Sequence, residues 1–314
     1  MQSRTINADF IGDFSIFCKK ELLALNIEVP SMESADIIRA YYNIRFRDIP
    51  SIPRKILVSN EFKSPLEYQT GLEILSNRII NGESLRGHLS TRINNVDLTK
   101  LEAHDPMLND WGIHHLHLGT IPYKKNPNFI DRTKAVLFAI FDNQTAYFIG
   151  IYNHGPQYYP WVKLQIMEII SSNWPYLLKE ANGVIGENLN EKEIKSLRSK
   201  NSNYILNLNG HNIFPTGGGS MPVGLSFNVL YQCDQAIAEL EFFESVLKNN
   251  VDNISIQLEK QLDIKVPRLL NFKLCFNDAK CYLEETNLRL ILNTEDFLID
   301  GGPYGLANIL FKRY

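Results

Sequence analysis

The run Trp111-Gly112-Ile113-His114-His115-Leu116-His117-Leu118-Gly119 carries three of the chain's seven histidines. Its alternation reads as a β-strand, and a strand sends successive side chains to opposite faces. His115 and His117 therefore share one face, while His114, Leu116 and Leu118 share the other, which suits a core. Two imidazoles fixed side by side can exchange protons near neutral pH or ligate a metal. Cationic groups follow in the sequence. Arg132 and Lys134 are two apart and lie on one face of the strand they open. His154 closes the strand after that. Whether Arg132 and Lys134 take the face of His115 and His117 depends on register, because a one-residue slip reverses it.

These residue types suit cleavage of a phosphodiester. One histidine takes a proton from a ribose 2′-hydroxyl, and another protonates the leaving 5′-oxygen. Arg132 or Lys134 stabilises charge on the phosphorane. A 2′-hydroxyl nucleophile needs no metal, so no cofactor is expected. Tyr123, Lys124, Lys125, Tyr158 and Tyr159 are the candidate substrate-binding residues: rings for bases, ammonium groups for phosphates. Each of these residues also has a plainer reading. His115 and His117 can form a solvated strand face, and His154 can cap the turn before Gly155. Arg132 and Lys134 can be an ordinary exposed pair. Asp105 and Asp110 read as turn caps. Trp111, Trp161 and Trp174 read as core anchors, and His88, His104 and His211 as surface or structural residues.

The elements that must position these groups can be read from periodicity and punctuation. Before residue 105 the pattern is mainly helical. Phe10, Phe14 and Phe17 have helical spacing, a helix capped at Ser31 or Ser34 runs through Tyr42, and Tyr68 to Ile79 form a third, with Gly82 at its end. Ile56–Val58 reads as a short strand and Ser84–Ile93 as a short helix. From Asp110 the pattern changes to a strand at His114–Leu118, a polar loop at Ile121–Asp131, and two apolar strands at Ala135–Phe141 and Ala146–Tyr152 joined by a turn. A helix with Val162, Ile166, Ile169 and Ile170 on one face follows. Beyond Gly186 comes a polar stretch with a short helix at Glu191–Arg198. Strands at Tyr204–Leu208 and Leu225–Tyr231, a helix at Gln235–Leu247 and a three-stranded meander from Phe272 to Leu292 complete the chain. The fold class is α+β: a helical N-terminal region (1–105), a central antiparallel meander with a packed helix (106–186) and a C-terminal α+β domain (187–314). Gly217-Gly218-Gly219 has neither Walker nor GxGxxG form and reads as a flexible connection rather than an anion cradle. Gly301-Gly302-Pro303 reads as a turn.

The central segment resembles the barnase–EndoU–colicin–RelE group of ribonucleases, the RelE and HigB toxins above all. The residues that carry the likeness are His115-Leu116-His117-Leu118-Gly119, Arg132-Thr133-Lys134-Ala135-Val136-Leu137-Phe138 and Phe148-Ile149-Gly150-Ile151-Tyr152-Asn153-His154. They cover about fifty of the 314 residues. The resemblance implies metal-independent RNA cleavage by a toxin of growth arrest or phage defence, with an antitoxin or regulatory protein as a further partner. The chain departs from those toxins in being far longer and in lacking their strong basicity.

Composition sets the outer bounds. A length of 314 residues and an apolar fraction of 44% allow a sizeable core, and a formal net charge of −3 excludes a wholly basic nucleic-acid coat. The four cysteines show no CxxC pair, which suits thiols in a reducing compartment. The first residues lack a signal-peptide pattern and no apolar run is long enough to span a bilayer, so a cytoplasmic protein with no membrane partner is expected. Two other functions fit the same residues. One is a metal enzyme using His115 and His117 with His154 or Asp110. The other is a non-catalytic binding or regulatory subunit that offers a sheet edge to a partner.

Overall fold

Ala135–Phe141 is an almost unbroken apolar run, and such a run is stable only when both of its faces are covered. The computed structural model describes residues 4–100, 104–155, 158–277, 280–293 and 310. The class is α+β. Two compact units divide the chain: one contains residues 43–228, the other residues 1–42 together with 229–314. These boundaries lie elsewhere than the expected 105/106 and 186/187. The second unit is discontinuous, and composition along the chain cannot reveal pairing between its two ends.

In the unit of both chain ends, helices α1 (Phe10–Ala24) and α2 (Ser34–Arg47, which ends beyond this unit) follow strand β1 (Thr5–Asn7). In the continuous unit come β2 (Lys55–Val58), α3 (Gln69–Asn81), α4 (Pro106–Trp111), β3 (His114–His117), β4 (Pro122–Tyr123), β5 (Asn126–Ile130), β6 (Ala135–Phe141), β7 (Thr145–Asn153), α5 (Leu164–Asn173), β8 (Lys179–Glu180), α6 (Glu191–Ser199), β9 (Leu206–Leu208) and β10 (His211–Phe214). The chain closes with α7 (Phe227–Asn249), α8 (Val251–Leu262), β11 (Leu269–Asn277), β12 (Lys280–Glu285) and β13 (Leu290–Asn293). The first unit's sheet has the order β1-β11-β12-β13, with β1 parallel to β11 and the rest antiparallel. Its core includes Phe10 stacked on Phe243 at 5.3 Å and Phe14 tilted against Phe276 at 5.4 Å.

The central sheet of the continuous unit has the order β2-β7-β6-β3. Strands β3, β6 and β7 form the expected antiparallel meander, and β2 adds in parallel beside β7. Helix α5 lays Ile166, Ile169 and Ile170 on one face, against Val136, Phe138 and Ile149. Helix α3 covers the other face with Leu75 and Ile79, against Leu116, Leu137 and Phe148.

Several expectations change. Ile121–Asp131 is a small hairpin, β4 with β5, rather than a loop. Ser84–Ile93 gives two 3-10 turns, Arg86–His88 and Thr91–Asn94, in place of one helix. Leu225–Tyr231 is not a strand: from Phe227 on, its residues form the start of α7, where Val229 takes a buried helical position. Helices α4 and α8 were not foreseen. Pro156, Asp278 and the Gly301-Gly302-Pro303 turn lie outside the described residues. All four cysteines lie within them and form no disulfide. Among the described residues no helix is long and apolar enough to cross a membrane.

Candidate functional site

The site begins at α4. Asp105 caps this helix, accepting from the Leu108 N–H at 3.2 Å, and Pro106 takes the first helical position, where its missing N–H costs nothing. Gly112 ends the helix in the left-handed region (φ 68°) and turns the chain directly into β3. The histidine strand is thus launched from a capped helix. The glycine run holds that helix in place. A Cβ on Gly217 would lie 2.1 Å from the Leu108 carbonyl oxygen and 2.4 Å from that of Asn109. The Gly217, Gly218 and Gly219 N–H groups donate to the Asp110, Pro215 and Asn109 carbonyls. The run is therefore a close-packed clamp rather than a flexible connection, and its amides are already engaged by carbonyls. Gly217→Ala must push the two backbones apart. We expect a loss of about 1–3 kcal/mol, read from the urea midpoint.

A second contact fixes the other side of α4. The Arg198 Nε on α6 donates to Asp110 Oδ2 at 2.6 Å, and both side chains are shut away from solvent. Burial pushes the Asp110 carboxyl up, against the pull of the guanidinium. Asp110 is therefore a structural partner of Arg198 and is not turned toward the histidines as a metal ligand. Asp110→Asn leaves a buried guanidinium uncompensated, with an expected cost of about 3–5 kcal/mol. Replacing both partners by apolar residues, Asp110→Leu with Arg198→Met, is expected to cost far less in the same denaturation measurement.

Register settles the faces. His115 pairs with Phe138 and His117 with Val136, while Val136 pairs on its other side with Tyr152. One step further along that ladder, the His154 N–H donates to the Lys134 carbonyl at 2.7 Å. His115, His117, Lys134 and His154 consequently share one face of the sheet. The rings meet there. His115 stacks on His154 with centroids 5.5 Å apart, and His117 meets His154 edge-on at 5.7 Å. His114 takes the opposite face, edge-on to Phe141 at 5.7 Å, where burial pushes it down to about 4.

The three imidazoles have different surroundings. His115 Nδ1 lies 3.7 Å from Asp105 Oδ2, the carboxylate oxygen that the helix cap leaves over. His117 is closed to solvent, and its Nδ1 accepts from the Thr133 N–H at 3.2 Å, which places its own proton on Nε2. Burial, then the charges of Arg132, His115 and His154, push His117 down to about 2. His154 stands at the exposed rim. Partial burial lowers it, and so do His115, Arg132 and Arg92, while Asp105 acts the other way. Arg132 donates to the Leu89 carbonyl at 2.9 Å; burial lowers it to about 10, and it stays charged at neutral pH. Cationic groups thus outnumber anions around the cluster, an arrangement that favours a bound anion.

The remaining candidates divide. Lys134 Nζ lies 5.9 Å from the centre of the Tyr158 ring, and Lys195 Nζ lies 3.5 Å above Tyr159. Tyr159 packs edge-on to Trp161, whose ring in turn reaches His154. Tyr123 packs on the core of the opposite face, close enough to Arg132 to favour its charge. Lys124 and Lys125 occupy the exposed turn between β4 and β5, and no contact joins them to the imidazoles. Beside His115 lies a shallow crevice of about 240 Å³, counting the part open to solvent, lined by Arg47, Ser90, Asp105 and His114 among others. Among the described residues no group of three or more His, Cys, Asp or Glu is placed to hold a metal ion.

Three contributors escaped sequence reasoning. Asp105 is both cap and neighbour of His115; the Asp-Pro pair signals the cap but not the imidazole. Thr133 binds the His117 ring through its backbone, which no side-chain pattern reports. His88 is fully buried and its Nδ1–H donates to the His117 carbonyl at 2.8 Å, so it braces the strand from behind. His104 and His211 remain apart from the cluster: His104 bonds the Leu98 carbonyl and His211 bonds Glu180. No family model, curated protein or solved structure matches the chain.

Proposed function

We propose that the protein is a metal-independent endoribonuclease whose acid–base groups are the His115 and His154 imidazoles, with the neutral His117 ring beside them. The observation that supports this most is their convergence on one sheet face beside Arg132, with a carboxylate at the far nitrogen of His115. Asp105 Oδ2 lies 3.7 Å from His115 Nδ1, an ion-pair approach that favours a proton on that nitrogen and Nε2 as the base for a ribose 2′-hydroxyl. The 2′-oxygen bonds to phosphorus as the P–O5′ bond breaks, and His154 delivers a proton to the departing 5′-oxygen. Burial, and after it the like charges of His115 and Arg132, lower His154; a bound phosphate opposes the like-charge part and so favours the imidazolium that step needs. Arg132 meets the charge on the phosphorane, with His117 Nε2–H as a neutral donor beside it. The products are a 2′,3′-cyclic phosphate and a free 5′-hydroxyl.

The form of the metal-enzyme reading that uses Asp110 as a ligand loses support, because Asp110 is committed to Arg198. The biological setting that fits is a toxin of growth arrest or phage defence, restrained by an antitoxin. Total RNA incubated with the purified chain in EDTA is expected to give fragments ending in 2′,3′-cyclic phosphate. Expression in cells is expected to arrest growth, and the double variant His115→Ala/His117→Ala to relieve the arrest. RNA left intact under every condition overturns the reading.

A further inference from the structure

A row of rings leads away from the histidine cluster. His154 lies edge-on to Trp161 with centroids 6.5 Å apart, and Trp161 meets Tyr159 edge-on at 5.7 Å. Trp161 is partly buried against the core yet more exposed than the other two tryptophans, Trp111 and Trp174, which are only 4% and 6% exposed. At the Tyr159 end Lys195 lies over the ring; at the His154 end Lys134, whose carbonyl accepts from the His154 N–H, lies 5.9 Å from the Tyr158 ring centre. Among the described residues, neither ammonium has a carboxylate within ion-pair distance. A partly exposed indole near two ammonium groups that lack ion-pair partners is an arrangement suited to taking up a base by stacking and its backbone by charge.

We infer that Trp161, with Lys195 and Lys134, forms a stacking subsite for an unpaired base next to the scissile phosphate, so that the substrate is single-stranded RNA. This rests on reading the histidine cluster as a ribonuclease site. A base held in a duplex is stacked on its own neighbours and cannot lie on Trp161 while its phosphate reaches His115 and His154. The subsite therefore selects single strands by geometry, without reading base edges, and tolerates different sequences because every base has a π-face. Lys195 belongs to α6, the helix that Arg198 ties to Asp110, so one ion pair helps to hold both the strand of histidines and the far end of the stacking row.

The test uses the full chain and a short 2′-O-methyl RNA strand, which lacks the nucleophile and stays intact. Because the other two tryptophans are buried, quenching of indole fluorescence by acrylamide reports chiefly on Trp161. The single strand is expected to bind and shield Trp161, while the same strand annealed to its complement binds much more weakly. Trp161→Ala is expected to weaken binding by about tenfold or more, Trp161→Phe to keep most of it, and Lys195→Ala to flatten the salt dependence by about 0.7 in log–log slope. Equal affinity for the duplex, or no shielding of Trp161 by the bound single strand, overturns the inference without relying on any variant that must fold. Shielded binding without cleavage of the unmodified strand sustains the subsite and removes the ribonuclease. Cleavage by a Trp161→Ala chain with undiminished affinity sustains the ribonuclease and removes the subsite.

Discussion

His115→Ala is expected to lower RNA cleavage by about 10²–10⁴-fold, the usual contribution of a positioned acid or base. His115 is the cluster member with a carboxylate oxygen 3.7 Å from one ring nitrogen and its ring stacked on His154. The variant is expected to keep its fold, because His115 is a partly exposed residue of an edge strand and belongs to neither apolar core cluster. Cleavage of a fluorogenic oligoribonucleotide, compared with thermal unfolding of the same preparation, separates the two effects. Asp105→Asn sharpens the comparison. Asparagine caps a helix as well as aspartate does, so α4 is preserved while the carboxylate is lost. The expected result is a lower rate with RNA binding intact. If His115→Ala cuts at the native rate, the acid–base assignment is wrong even where RNA is degraded.

Acid is expected to unfold the continuous unit early, and the buried imidazoles set the sign. Burial takes His117 from the usual 6.5 down to about 2 and lowers His88 as well. Above 6.5 both are neutral whether the chain is folded or not, and the stability of the neutral buried form is present in full. As pH falls through 6.5 the unfolded chain takes up protons first. Stability then drops by about 1.4 kcal/mol per pH unit for each such imidazole, for His117 until its own value near 2 is reached. His114, held at about 4, adds to the same slope over a shorter window. The Asp110 carboxyl, raised by burial, works in the opposite direction at the lower end. Urea midpoints measured from neutral pH down to about pH 5 should fall steadily, and His88→Gln or His117→Gln should flatten the curve. A flat profile for the native chain contradicts the burial of these rings.

Local pattern carried the histidine face, because a strand has a period of two and the alternation from His114 to Leu118 admits one reading. It also carried α1, α3 with its Gly82 cap, and the β6–β7 hairpin, where long apolar runs meet strong punctuation. The companionship of Lys134 and His154 with His115 and His117 was not legible, since it depends on a ladder register set by the whole sheet. The Asp-Pro pair signals the Asp105 cap but not the carboxylate's approach to His115, and Thr133 acts through a backbone N–H that leaves no side-chain signature. The β4–β5 hairpin was hidden by Pro127 and by lysine and asparagine residues that favour loops. The start of α7 was mistaken for a strand because Leu225 to Tyr231 mixes aromatic and branched residues that either element accepts, and only burial of Val229, Cys233 and Ala236 on one side reveals the helix.

The unit made from both chain ends also constrains how the molecule is born. A ribosome releases the amino terminus first, yet Thr5 pairs with Leu269, Phe10 stacks on Phe243, and the Leu274 N–H is received by Asp13. The nascent α1 can meet Tyr41 and Tyr42 early, but its contacts with Phe243 and Phe276 must wait until those residues have been translated. The stretch bearing the histidines has no such delay: residues 43–228 emerge together and can fold while synthesis continues. A truncated message that stops soon after residue 228 would therefore still deliver the cluster in its native surroundings, and a shielding factor arriving during translation would find the amino-terminal helix before its own strand does.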